Sequence, residues 1–123
     1  MNNAIMVFTN VPDLESAEKM ARDLVEGKLA ACVNILPQIH SYYRWQGVLE
    51  EADEITIVIK TSDNLYPQLE EAIVDLHPYD IPEILALPVI AGLPAYINWI
   101  HAETANAGKK TPGSMPSPEN VDK

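Results

Sequence analysis

The chain has 123 residues, a formal charge of −10 and 47% hydrophobic content, which suits one compact domain and excludes a largely disordered chain. Residues 1–108 hold 16 Asp and Glu against five Lys and Arg, too few cations to track a phosphate backbone or an anionic bilayer. Nucleic acid and membrane are therefore excluded as partners.

The opening MNNAIMVFTN has no basic n-region and no long apolar core, so a secretory signal is not expected. No apolar run reaches the ~18–20 residues of a membrane helix, and a cytoplasmic protein is the expectation. Ala4–Thr9 reads as a buried strand, closed by Asn10, Pro12 and Asp13. Leu14, Ala17, Met20, Ala21, Leu24 and Val25 then recur at helical spacing up to Gly27. From Leu29 the period becomes two. Leu29, Ala31, Val33, Ile35, Ile39 and Tyr43 point one way, and Cys32, Asn34, Gln38, His40 and Arg44 the other. Trp45-Gln46-Gly47 is a turn, and the returning strand separates Ile55, Ile57 and Ile59 from Glu54, Thr56, Val58 and Lys60. Leu65, Leu69, Ala72, Ile73 and Leu76 form a second helical stripe with Pro67 in its first turn, ending before His77-Pro78. Ile84–Val89 is a fourth strand framed by Pro82 and Pro88, and Pro94 opens a last short helix.

Two split βαβ units in this order predict an α+β protein, a ferredoxin-like βαββαβ sandwich with a long central hairpin and an extra C-terminal helix. The domain is expected to fill residues 1–103. Residues 104–123, with three prolines and two glycines, are expected to be a flexible polar tail. The hairpin over residues 29–61 is far longer than the ~5–6-residue norm for strands, so its tip should project beyond the helices. That tip carries Tyr42, Tyr43, Trp45, Val48 and Leu49. Exposed aromatics on an edge-forming hairpin predict a homo-oligomer.

The single cysteine excludes an intrachain disulfide and any Cys₄ or Cys₂His₂ zinc site. No nucleophile elbow, glycine-rich phosphate loop, HExxH or EF-hand loop is present. Cys32 reads as a small core residue or as a soft copper or zinc ligand. His77, in HPYDIPE, reads as a helix C-terminal cap or as an imidazole ligand beside Tyr79, Asp80 and Glu83. His40 and His101 are taken as surface residues. Glu54 and Lys60 share a face of one strand, so they suit either an interface salt bridge or, with Arg44, a polar cleft between subunits.

Three stretches, GKLAACVNILPQIHSYYRWQGVLEEADEITIVIKT, HPYDIPEILALPV and YINWI, closely resemble the CutA family of divalent-cation tolerance proteins. The resemblance runs from about residue 4 to 102. It implies a tight homotrimer joined through the long hairpin, similar in architecture to the PII signalling proteins, and a link to copper and other divalent metals. The matched positions Arg44, Trp45, Glu54, Lys60, His77, Tyr79 and Glu83 belong to the family signature around intersubunit clefts. Members with proposed copper ligands carry a cysteine at the end of the first strand and a His-His pair before Pro-Tyr. Here those positions are Thr9, and Leu76 with His77.

The resulting expectation is a trimeric protein of copper and other divalent-metal tolerance that binds rather than catalyses. His77, Glu54, Glu83 and Cys32 are the candidate metal ligands. Arg44, Trp45, Lys60 and Tyr79 are the candidate ligand-binding residues. No cofactor is obligatory, and copper or zinc would bind weakly. The alternative is a PII-like sensor holding a small anionic metabolite between subunits through Lys60 and Arg44. An enzyme with His77 and Glu83 as acid and base is a third reading.

Overall fold

A computed structural model of the chain describes residues 2–107. In β1 (Ala4–Val11) the period of two buries Ile5, Val7, Thr9 and Val11 on one side and leaves Met6, Phe8 and Asn10 half-buried on the other. Asp13 then caps α1 (Leu14–Glu26). Its carboxylate accepts the Ser16 N–H at 2.7 Å, and that bond holds the Asp13 carboxyl below its ordinary range. Ala17, Met20 and Leu24 form the buried stripe of α1.

The long hairpin follows, with one departure from the expected pattern. Its first arm is broken into β2 (Cys32–Ile35) and β3 (Ile39–Trp45), while the return arm β4 (Val48–Ser62) runs unbroken. Ile35 lies opposite Ile57, but Ile39 lies opposite Glu54. The first arm therefore carries one more residue than its partner across Leu36-Pro37-Gln38. This is a β-bulge, placed where Pro37 has no N–H to offer the ladder. A single extra residue reverses facing. Ile39 and Tyr43 consequently lie on the side of Glu54, opposite to Ile35, and not with it as simple alternation predicts. Gln46 and Gly47 close the hairpin at φ 51° and 82°, the two positive values of a type I′ turn.

A single 3₁₀ turn (Asp63–Leu65) leads into α2 (Tyr66–Leu76), which has Pro67 in its first turn and stops before His77-Pro78. β5 (Leu85–Pro88) and α3 (Pro94–Glu103) complete the fold. The antiparallel sheet has the order β2-β4-β1-β5, with β3 extending the hairpin along β4. It is the ferredoxin-like arrangement with a helix added. The helix-covered face packs Ile5, Val7, Val11, Ile57 and Ile59 against Met20, Leu24, Leu69 and Ile73. On the second face α3 covers only one end, where Ile100 joins Ala4 and Ala31. Leu85 and Leu87, on the same face and opposite Phe8 and Met6, remain about half exposed. No described helix is long and apolar enough to cross a membrane.

α3 is tied down by polar groups. Ser62 Oγ lies 2.6 Å from His101 Nδ1 and 3.0 Å from Thr104 Oγ1, and the Thr104 hydroxyl donates to the Ile100 carbonyl at 2.9 Å. With that proton committed, Ser62 donates to Thr104 and His101 donates from Nδ1 to Ser62. His101 is thus an anchor and not merely a surface group. Thr104 is buried, so the packed unit extends past the expected boundary at residue 103. The remainder of the expected tail, residues 108–123, lies outside the described residues.

Among the described residues, one buried side-chain group is unsatisfied. Thr9 is fully buried and its hydroxyl has no hydrogen-bond partner. Thr9→Val should therefore raise the unfolding free energy by about 1 kcal/mol, measured by urea denaturation. A decrease would show that the hydroxyl has a partner in solution.

Candidate functional site

The bulge decides which side chains meet. By turning Ser41, Tyr43 and Trp45 to the side of Glu54, it lines them along a cleft of about 700 Å³. Asn10 of β1 and Glu54 of β4 form the inner end of the cleft, and Tyr79, Asp80 and Glu83, from the segment joining α2 to β5, form its far wall. Pro78 follows the α2 stop immediately and commits this segment to irregular backbone. That places it across the sheet end instead of letting the helix continue.

His77 organises this wall. Its Nε2 lies 2.7 Å from the Asn10 carbonyl and its Nδ1 accepts the Tyr79 N–H at 3.1 Å. The two bonds define a neutral ring with its proton on Nε2. Burial pushes the His77 pKa down, against the opposing effects of the Asn10 bond and the Glu54 charge. Tyr79 in turn donates its hydroxyl to Glu54 Oε2 at 3.0 Å. Burial first, and then that carboxylate, push the phenol up to about 12, so it stays a donor across neutral pH. Asn10 Oδ1 accepts the Thr56 hydroxyl at 2.8 Å, and its amide nitrogen reaches Glu83 at 3.5 Å.

Of the expected metal ligands, Glu54 and Glu83 border the cleft and His77 stands behind its wall. Both nitrogens of His77 are engaged within the chain, so it acts as a positioning residue rather than as an open imidazole ligand. Cys32 is not brought to the others. It pairs with Lys60, six residues or about 20 Å along β4 from Glu54, and its sulfur lies 3.9 Å from Asn34 Oδ1. Among the described residues no group of three His, Cys, Asp or Glu is placed to hold a metal. The four-ligand set is therefore not assembled by one chain. Thr9 and Leu76, at the family's other proposed ligand positions, pack into the helix-covered core.

The expected ligand-binding set divides in the same way. Trp45 and Tyr79 line the cleft. Arg44 lies at the hairpin tip opposite Leu49, reaching the Gly47 carbonyl at 3.4 Å, while the Lys60 ammonium sits 5.8 Å from the Tyr96 ring centre. Leu49 and Lys60 are eleven residues apart on β4, roughly 36 Å. Arg44 and Lys60 cannot hold one ligand within a single chain. Glu54 and Lys60 do not pair either, for the same reason of distance.

Two groups carry contacts that the sequence pattern does not signal, one at the site and one outside it. Asn10 read only as a turn residue, and its role emerges from the register that places it opposite Thr56. His40 lies between two carboxylates on the hairpin's other side, its Nδ1 2.7 Å from Asp53 and its Nε2 2.8 Å from Glu51. The hydrogen bond to Asp53, and then that to Glu51, raise the His40 pKa, while both carboxyls are lowered. His40 should titrate above 6.5 by proton NMR. Asp53→Asn should move it toward the ordinary value, and an unmoved titration would break the assignment. Because the folded pKa is raised, any stabilisation from this clamp is complete below pH 6.5 and lost as pH rises through the folded value.

Fold and cleft together define a small ferredoxin-like α+β protein with an acidic, aromatic-lined cleft beside a projecting hairpin. The family model described as "CutA1 divalent ion tolerance protein" matches residues 5–103. The chain is 44% identical over 99 residues to the divalent-cation tolerance protein CutA of Thermus thermophilus, covering 80% of this chain and 96% of that one. It is 44% identical over 108 residues to protein CutA of Mus musculus, covering 85% of this chain but 61% of the mouse protein. The crystal structure of CutA from Xylella fastidiosa superposes with a TM-score of 0.81 at 43% identity, covering 83% of this chain and 98% of that one. The chain belongs to the CutA1 divalent ion tolerance family.

Proposed function

We propose that the protein acts in divalent-ion tolerance by binding cations, as a homotrimer and without turnover. The observation that carries this reading is Glu54, only 8% exposed, in a cleft whose lining residues include Asp80 and Glu83 but no Lys or Arg. A carboxylate with little exposure and no Lys or Arg among the residues lining its cleft favours entry of a cation. One chain offers too few ligands to close a metal shell, and a neighbouring subunit bordering the cleft would complete it. Copper or zinc would draw on Glu54 and Glu83, with His77 joining once its Nδ1 gives up the Tyr79 N–H.

Assembly is supported by what one chain leaves uncovered. Tyr42, Tyr43, Trp45, Val48 and Leu49 on the hairpin, and Leu85 and Leu87 on the second sheet face, are all more than 40% exposed. The outer edges of β2 and β5 have no partner strand among the described residues. Such edges and apolar faces favour pairing between copies. Light scattering on a sizing column should give close to three times the 13.6 kDa chain mass, and a monomer at micromolar concentration would contradict it. The anionic-metabolite alternative gains nothing from a cleft without a basic lining residue.

A further inference from the structure

The cleft has features that a bare metal ion does not use. Tyr43 and Trp45 project from β3 on the Glu54 side, and Tyr79 lies on the opposite wall. With Tyr42, which also borders it, four aromatic residues line the same cleft as the nearly buried Glu54. Tyr79 occupies Glu54 Oε2, while Oε1 has no hydrogen-bond donor among the described residues. The ion pairs of the described residues join Lys19 to Asp23 and His40 to Glu51 and Asp53, so none neutralises Glu54. Lys60, on the same strand face, is about 20 Å away. The volume of about 700 Å³ is that of a small-molecule site, far larger than one ion requires.

Two physical preferences coincide here. The uncompensated carboxylate selects positive charge. The electron-rich faces of tyrosine and tryptophan select a cation that is large and weakly hydrated, because such an ion gives up its water readily and gains both apolar contact and ring-quadrupole attraction. A hydroxyl-rich or anionic ligand would leave Glu54 unpaired and meet Asp80 and Glu83 as repelling neighbours. We infer that the cleft binds a small organic cation, an ammonium bearing apolar substituents, with its charge against Glu54 and its substituents against Tyr43, Trp45 and Tyr79. This inference rests on reading the cleft as a cation site and adds the class of ligand.

The test is isothermal titration of the assembled full-length protein, stripped with chelator, against benzyltrimethylammonium, benzyl alcohol and benzoate, with zinc in a separate run. Saturable binding of benzyltrimethylammonium is expected, with benzyl alcohol and benzoate each weaker by at least ~10-fold. Glu54→Gln, checked for folding by circular dichroism, should lose ~10-fold or more of the affinity for the ammonium. Trp45→Leu, compared with wild type only once light scattering shows the same assembled mass because Trp45 also belongs to the hairpin surface proposed for assembly, should lose roughly 2- to 30-fold, and it serves as the readout should Glu54→Gln not fold. Equal binding of benzyl alcohol, tighter binding of benzoate or no saturation with the ammonium would overturn the inference. Zinc binding that depends on Glu54, without ammonium binding, would overturn it while leaving the divalent-cation reading intact. Absence of both would overturn the two together.

Discussion

His77→Ala is expected to lower the unfolding free energy by about 3 kcal/mol, at fixed protein concentration. The imidazole bonds two backbone groups of different elements, the Asn10 carbonyl at the end of β1 and the Tyr79 N–H beyond α2. Alanine leaves both without a partner near a buried position, and each such loss costs about 1–3 kcal/mol. The amide nitrogen of glutamine approximates Nε2, and the carbonyl of asparagine approximates Nδ1. His77→Gln and His77→Asn should therefore each recover part of the loss through a different bond. The dependence on pH has a fixed sign. The folded pKa lies below 6.5 because burial disfavours the charged ring. The contribution of His77 is thus complete above pH 6.5 and is lost as pH falls through the folded value. Urea midpoints at pH 7.5 and 5.5 should show a wild-type decrease that His77→Gln lacks. An equal decrease in both would place the titration elsewhere.

Ile59→Ala should be costlier still per atom removed, by roughly 2–5 kcal/mol. Ile59 is fully buried on the central strand β4, with Val7 of β1 on one side and Val33 of β2 on the other. Its face packs against Met20, Leu24, Leu69 and Ile73 of the two helices. A strand bonded on both sides cannot shift to fill the void, so the cavity persists. Ile55→Ala, at a half-buried position on the same strand, should cost less than half as much. Comparable losses at the two sites would mean that the interior collapses around the deletion. These values are read from chemical denaturation, and Ile59→Val provides the single-methylene reference at about 1 kcal/mol.

The fold was largely legible because its helices and strands declare their periods. Ala17, Met20 and Leu24 mark the face of α1, Ile57 and Ile59 mark that of β4, and Gly47 marks the hairpin turn. The break in the first hairpin arm has one signal in the sequence, Pro37, since a proline within a strand points to a bulge or an edge. The bulge also decides the site. Simple alternation put Tyr43 with Ile35, whereas the extra residue puts Tyr43 and Trp45 beside Glu54. Contacts such as Tyr79 to Glu54, or His40 to Glu51 and Asp53, depend on register and loop path, which a single sequence does not encode as a pattern. Thr104, assigned to the tail, is buried because its hydroxyl bonds the last turn of α3 and Ser62. A lone threonine at a helix end gives no sign of that partner. Residue type singles out Glu54 as a carboxylate on a strand face, and the structure places it at the cleft with Tyr79 as its hydrogen-bond donor and no ion-pair partner among the described residues.

Cation entry to the cleft, as proposed, rests on the Glu54 carboxylate. Equilibrium dialysis of chelator-stripped, assembled protein against copper and zinc at neutral pH, comparing wild type with Glu54→Gln, tests it most directly. Saturable binding is expected for the wild type and at least ~10-fold weaker binding for the variant, the scale expected on removing a charged ligand. Unchanged stoichiometry and affinity in Glu54→Gln would contradict it.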